Sequence, residues 1–223
     1  MSLLILAATV YLTIDTGNME PAEQIAAILR KHQVKATFFL ADEKTKRGDT
    51  SLDPAWAPFW RALAADGHKF GSHTWKHSYF RRDLPNGKVA YVAKAGPTEQ
   101  LDQPGVCAEL RRVDTRFHEM TGRHLDPLWR APGGRTTPRV LAFAQKCGFR
   151  HVGWTAHGFL GDELSSKTHP NRRLLDDSLR NIQDGEILLL HLGIWSRQDP
   201  YWPMLDPLLA GLKKRGFQFA LLP

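Results

Sequence analysis

Residues Tyr11–Met19 read YLTIDTGNM. The first four residues favour extended backbone, the run then ends on a single carboxylate, Asp15, and Thr-Gly-Asn breaks the strand at once. A buried strand has no structural use for an unpaired acid at its tip. In a parallel α/β protein, however, the carboxyl ends of the strands gather on one face, and that face carries the chemistry. The residue after Asp15 is Thr16, a neutral side chain where a metal site would welcome a second negative charge.

Outward from this segment the chain alternates between the two periodicities. Strand-like runs occur at 9–15, 36–41, 68–73, 126–131, 150–154, 186–191 and 217–222. Helical patterns fill 21–32, 54–66, 105–121, 138–147, 170–183 and 203–215, with Asp53-Pro54 opening the second and Gly122, Gly148 and Gly216 placed to stop three of them. Between the third strand and the third helix, residues 81–98 read as a long polar loop turning at Pro85-Asn86-Gly87. Seven apolar strands separated by helices predict an α/β fold with predominantly parallel strands, a (β/α) barrel before an open doubly wound sheet. One domain spans residues 1–223, with 1–8 read as a leader remnant.

The 223 residues carry 30 Lys and Arg against 23 Asp and Glu, a net charge of +7 that favours anionic surroundings. The basic residues are scattered and form no nucleic-acid motif, so no nucleic-acid partner is expected. No run approaches the roughly 20 apolar residues of a membrane span. Cys107 and Cys147 lie in helical patterns flanking one predicted strand. A disulfide is open to them, two buried free thiols being the plainer reading.

The polar residues are informative through their positions. Asp15 ends the first strand, His73 the third, Trp154 the fifth and His191 the sixth, and Arg130 lies near the end of the fourth. In HTWKH (73–77) the two histidines are four apart, which on a helical turn puts both imidazoles on one face, suited to a shared cation. In RAPGG (130–134) the Arg can hold a carboxylate ionised, and the glycines let backbone N–H groups approach a substrate oxygen. In ILLLHLG (187–193) an apolar strand delivers a partly desolvated histidine suited to acid catalysis.

The order TIDTG, HTWKH, RAPGG, LLLH resembles the polysaccharide deacetylase family, the NodB-homology domain of carbohydrate esterase family 4, across Thr9 to Leu222. The resemblance implies a distorted (β/α) barrel of seven or eight strands. It implies metal-dependent removal of N-acetyl, sometimes O-acetyl, groups from peptidoglycan, chitin-like or exopolysaccharide substrates. By the same resemblance Asp15 is the catalytic base, Arg130 its holder, and His73 and His77 the metal-binding pair. Gly133 contributes an oxyanion N–H, Leu189 and Trp154 wall the acetyl pocket, His191 is the general acid and Asp162 orients it. The family's second Asp, a metal ligand, is replaced here by Thr16, so Asp15 itself is expected at or beside the metal.

The expected cofactor is a divalent cation, zinc before cobalt or nickel. The expected partner is an acetylated glycan, with Trp75, Tyr79, Trp195, Tyr201 and Trp202 as candidate stacking platforms, and the expected location is periplasmic or extracellular. Two other readings stand beside this one. The first is a glycan-binding member of the same fold weakened by Thr16, and the second is a deformylase or small-amide hydrolase on a sugar.

Overall fold

The computed structural model describes residues 8–93 and 96–223. The leader-like stretch, apart from Ala8, lies outside the described residues.

The described residues open with β1 (Thr9–Asp15), α1 (Ala22–His32), β2 (Thr37–Leu40), α2 (Ala57–Ala65) and β3 (Lys69–Ser72). β4 (Tyr79–Asp83), β5 (Val89–Val92), β6 (Thr98–Leu101) and α3 (Gln103–Thr121) follow. The second half contains β7 (Leu128–Trp129), α4 (Pro138–Lys146), β8 (Arg150–His151), α5 (Asn171–Asn181), β9 (Ile187–His191), α6 (Leu205–Lys214) and β10 (Gln218–Phe219). All seven expected strands form one parallel sheet. β9, β1, β2, β3, β7 and β8 are successive neighbours, and β10 pairs with the start of β1. Beyond β8, the segment 155–159 closes the ring: Leu189 N donates to Gly158 O and Thr155 N to Ile187 O. The result is a barrel whose last staves are irregular.

Alternation along the strands sorts the side chains. Leu12, Ile14, Phe38, Leu40, Phe70, Leu188 and Leu190 face outward and share one core with the buried stripes of the helices, such as Ile25 and Leu29 of α1. Tyr11, Phe39, Leu128, Val152, Ile187 and Leu222 fill the barrel interior. Asp15 lies two steps beyond Thr13 and four beyond Tyr11, and therefore points inward at the carboxyl end. The register pairs it with Phe39 on one side and His191 on the other.

The local stops and starts follow the sequence. Asp53 caps the turn before α2 by accepting from Ala55 N, and Thr137 caps α4 through Val140 N. Gly122 ends α3 in the left-handed conformation, φ 74°.

Three expectations are corrected. The stretch expected as a loop over 81–98 carries strands instead: β4, β5 and β6, which overlap it at both ends, form a three-stranded antiparallel sheet, residues 94 and 95 lying outside the described residues. Its buried stripe, Phe80, Val89 and Tyr91, is too short to show a clear period among the surrounding charges. The cysteines are not free thiols. α3 packs on α4, bringing the Cα atoms of Cys107 and Cys147 to 5.5 Å, and the pair is disulfide-bonded. β7, β8 and β10 are shorter than their apolar runs. Single ladder bonds, Arg130 N to Ser72 O and Val152 N to Trp129 O, carry the pairing just past β7 and β8. Trp154 consequently lies three residues beyond the end of β8 rather than at its tip.

Candidate active site

Asp15 and Arg130 form the centre. Arg130 Nη1 donates to Asp15 Oδ1 at 2.8 Å, and both side chains are almost wholly buried. The guanidinium also donates from Nε to Val152 O (3.1 Å) and from Nη2 to Gly153 O (2.8 Å), and its Cζ lies 4.3 Å from the centre of the Phe39 ring. A buried Arg bonded through each of its three nitrogens fixes the orientation of the carboxylate it holds. Burial opposes ionisation of Asp15, but Arg130, His73 and His191 outweigh it and keep the carboxyl below its ordinary range.

His73 follows β3 directly. Its Nδ1 is 2.8 Å from Arg130 O, so Nδ1 carries the proton and Nε2 presents a lone pair. Burial, and to a lesser extent His77, push its pKa down to about 3, against the upward pull of Asp15, so the ring is neutral. His77 Nε2 stands 3.2 Å from His73 Nε2, and Asp15 Oδ2 is 3.4 Å from the same nitrogen.

The pair is not on a helical turn. Residues 73–78 are irregular, and they converge because Thr74 and His77 both adopt left-handed backbone, φ 64° and 50°. For non-glycine residues this is costly and must be held by surrounding contacts. Two buried residues that the sequence reading did not single out provide them. Glu109 of α3 accepts from Lys76 N (3.0 Å), and its own carbonyl accepts from Trp75 N. Tyr91 of β5 donates to Glu109 (2.8 Å) and contacts Thr74 Oγ1 (3.1 Å). Neither has a motif, because each acts on groups that only folding brings near.

The second cluster adjoins the first across the β1–β9 ladder. Asp162 reaches His191 twice, Oδ2 accepting from its backbone N at 2.8 Å and Oδ1 standing 3.0 Å from Nδ1. Burial alone would lower the His191 pKa. Asp162, with help from Asp15 and Glu163, overcomes this and raises it to about 9, so the imidazolium persists at neutral pH.

Gly133 sits on the tight turn after Arg130 with φ 60°, and a Cβ there would lie 2.8 Å from the Tyr79 ring. Trp154 stacks beside Gly134, 5.7 Å from the Arg130 guanidinium. Leu189 is buried on the same strand face as His191. Next to His191 opens a groove of about 580 Å³ lined by Lys46, Asp162, Trp195, Tyr201 and Trp202. Trp195 is 55% exposed with Lys46 over its ring, whereas Tyr201 is nearly buried. Trp75 lies apart under Arg112, and Tyr79 lies under Gly133.

Comparison with known proteins gives this arrangement a family. The profile described as polysaccharide deacetylase matches residues 7–152. The chain belongs to the polysaccharide deacetylase family. It is 26% identical over 229 residues to a chitooligosaccharide deacetylase of Azorhizobium caulinodans, covering 97% of this chain and 93% of that one. It is likewise 26% identical over 217 residues to a peptidoglycan-N-acetylglucosamine deacetylase of Bacillus cereus, covering 97% and 67%. Among solved structures it resembles a family 4 carbohydrate esterase pseudoenzyme of Bacillus anthracis (TM-score 0.72, 21% identity), covering 97% of this chain and 64% of that longer one. It also resembles a family 4 carbohydrate esterase from Streptomyces lividans (TM-score 0.70, 16% identity), covering 97% and 93%. At these identities the structural likeness establishes the shared fold.

The family implies a divalent cation. Among the described residues no three His, Cys, Asp or Glu side chains form a ready-made ligand cluster. The chemistry of the histidine pair nevertheless fits one. His73 Nδ1 is engaged by Arg130 O and His77 Nδ1 lies 3.4 Å from Glu43 Oε1, while the two Nε2 atoms stand 3.2 Å apart beside a carboxylate. Two imidazole nitrogens so disposed face one point, a contact that a cation would relieve.

Proposed function

We propose that this polysaccharide deacetylase family member is an active, metal-dependent hydrolase that removes N-acetyl groups from an acetylated glycan. The reading is carried by one juxtaposition: the facing imidazoles of His73 and His77 lie against a carboxylate that Arg130 holds ionised, with the protonated His191 paired to that carboxylate's residue across the sheet.

A divalent ion bound by His73 and His77, with Asp15 as the adjacent oxygen, would supply Lewis acidity toward the acetyl carbonyl and the attacking water. The chain's own groups account for the proton movements. Asp15, fixed by Arg130, accepts the proton of the attacking water at Oδ2. The Gly133 N–H donates to the oxygen that becomes negative in the tetrahedral intermediate, a donor typically worth about 3 kcal/mol. His191 then gives its Nε2 proton to the leaving amine, while Asp162 keeps Nδ1 engaged and the ring oriented. Leu189 and Trp154 wall a space suited to a methyl group, and the groove beside His191, with the exposed Trp195, accommodates the sugar. The same site would accept an O-acetyl ester, and a formyl group would fit the pocket without filling it. The disulfide and the net charge of +7 support a periplasmic or extracellular location against an anionic wall polymer.

The test is acetate release from acetylated chitooligosaccharides and peptidoglycan fragments, before and after chelation, with zinc or cobalt added back. Chelation should abolish turnover and either ion should restore it. Asp15→Asn should abolish it in a folded protein. The glycan-binding reading draws on Thr16 and on the pseudoenzyme among the structural relatives. It predicts that the protein retains the oligosaccharides and releases no acetate with any metal, an outcome that would displace the enzyme reading. Intact acid and base pairs, Asp15 with Arg130 and His191 with Asp162, argue against it, since a binder gains nothing from them.

A further inference from the structure

Glu43 is the one acidic side chain touching the histidine pair that no Lys or Arg neutralises among the described residues. It lies in the loop between β2 and α2, and its side chain is 20% exposed. Oε1 stands 3.4 Å from His77 Nδ1, on the side of the ring away from His73. Oε2 accepts the Thr16 hydroxyl proton at 2.7 Å, and Thr16 Oγ1 in turn accepts from Ala41 N at 3.1 Å. The backbone leaves Glu43 little choice of position. Its N–H donates to Ser51 Oγ (3.0 Å), its carbonyl accepts from Ser51 N (2.8 Å), and Asp42 N donates to Trp75 O in the histidine loop itself. The loop carrying the acid and the loop carrying His77 are thus tied together.

We propose that Glu43 is the positioning carboxylate of the histidine pair. It takes the Nδ1–H of His77, which fixes the tautomer whose Nε2 lone pair faces His73, and it supplies the negative charge that position 16 does not; Thr16 is the hydroxyl that aims it. With the opposite tautomer, the lone pair of Nδ1 would face a carboxylate and Nε2 would carry a hydrogen into the shared space. A carboxylate on the far nitrogen of a ligating imidazole both sets ring orientation and raises its basicity, and removing such a partner typically weakens metal binding about 10- to 100-fold. This role rests on the metal-site reading above, and one of its consequences can be measured without metal.

The experiment uses the full chain as wild type, Glu43→Leu and Glu43→Gln. Long-range ¹H–¹⁵N spectra of the metal-free proteins report the His77 tautomer, and zinc titration against a chromophoric chelator reports affinity. Wild type should show Nδ1–H. Glu43→Leu should lose that preference and bind zinc about 10- to 100-fold more weakly. Glu43→Gln, which keeps an oxygen but not the charge, should fall between them. Circular dichroism on each variant establishes that it is folded. Zinc affinity and tautomer both unchanged in Glu43→Leu would overturn the role of Glu43 while leaving the metal site standing. A wild type with Nδ1–H that takes up no zinc would overturn the metal site and retain the tautomer assignment.

Discussion

Asp162→Asn isolates the contribution of one buried charge to the proposed acid step. Asp162 and its hydrogen bond hold the His191 pKa at about 9 against a burial effect that pulls the other way. Asn keeps an oxygen for the backbone N–H of His191 and removes the charge. The His191 pKa should then fall to its ordinary value near 6.5 or below, a drop of about 2.5 units. At pH 8 about nine in ten wild-type His191 rings are protonated, against about three in a hundred at a pKa of 6.5, so loss of the acid form alone lowers kcat about 30-fold. Near pH 5.5 both proteins are mostly protonated and the gap should close to the smaller effect of ring orientation. The assay is acetate release across pH 5–10 with saturating metal. An alkaline limb that stays in place in Asp162→Asn would refute the assignment of His191 as the acid controlled by Asp162. The same shift has a stability consequence. A raised folded-state pKa adds stability that is full below pH 6.5 and lost as pH rises through about 9. Wild-type Tm should decline over that window, and the decline should be absent from the variant.

Gly133→Ala puts a side chain on a residue with φ 60°, 2.8 Å from the Tyr79 ring, so the turn must shift. Denaturant unfolding should show a loss of about 1–2 kcal/mol, and kcat should fall further than stability alone explains, because the displaced N–H is the proposed oxyanion donor. Reduction of Cys107–Cys147 opens a loop of 40 residues. Chain entropy assigns such a closure about 4 kcal/mol, so the urea midpoint should drop clearly with reductant, while Cys107→Ser/Cys147→Ser should match the reduced protein and be insensitive to it.

Much of the barrel was legible because its strands are apolar on both faces and its helices carry caps and glycine stops, signals held in a few neighbouring residues. Asp15, His73, Arg130 and His191 were legible for a related reason: a polar residue at the end of an apolar strand stands out in the chain itself. Glu43, Glu109 and Tyr91 do not stand out. Glu43 lies within ADEKTKRG (41–48), where one acid among charged neighbours reads as solvated loop. Tyr91 lies in a region whose small sheet is too short and mixed in pattern to declare itself.

The sequence by itself determined that seven strands alternate with helices and that an acid, an Arg and three histidines would meet at one end of them, since strand period and chain direction fix which tips converge. Only the tertiary structure decided how the two histidines face each other, which carboxylate stands behind His77, and that two cysteines on neighbouring helices are joined. Those outcomes depend on left-handed backbone at Thr74 and His77, and on contacts between residues dozens of positions apart, whose energies exist only once the chain has closed around them.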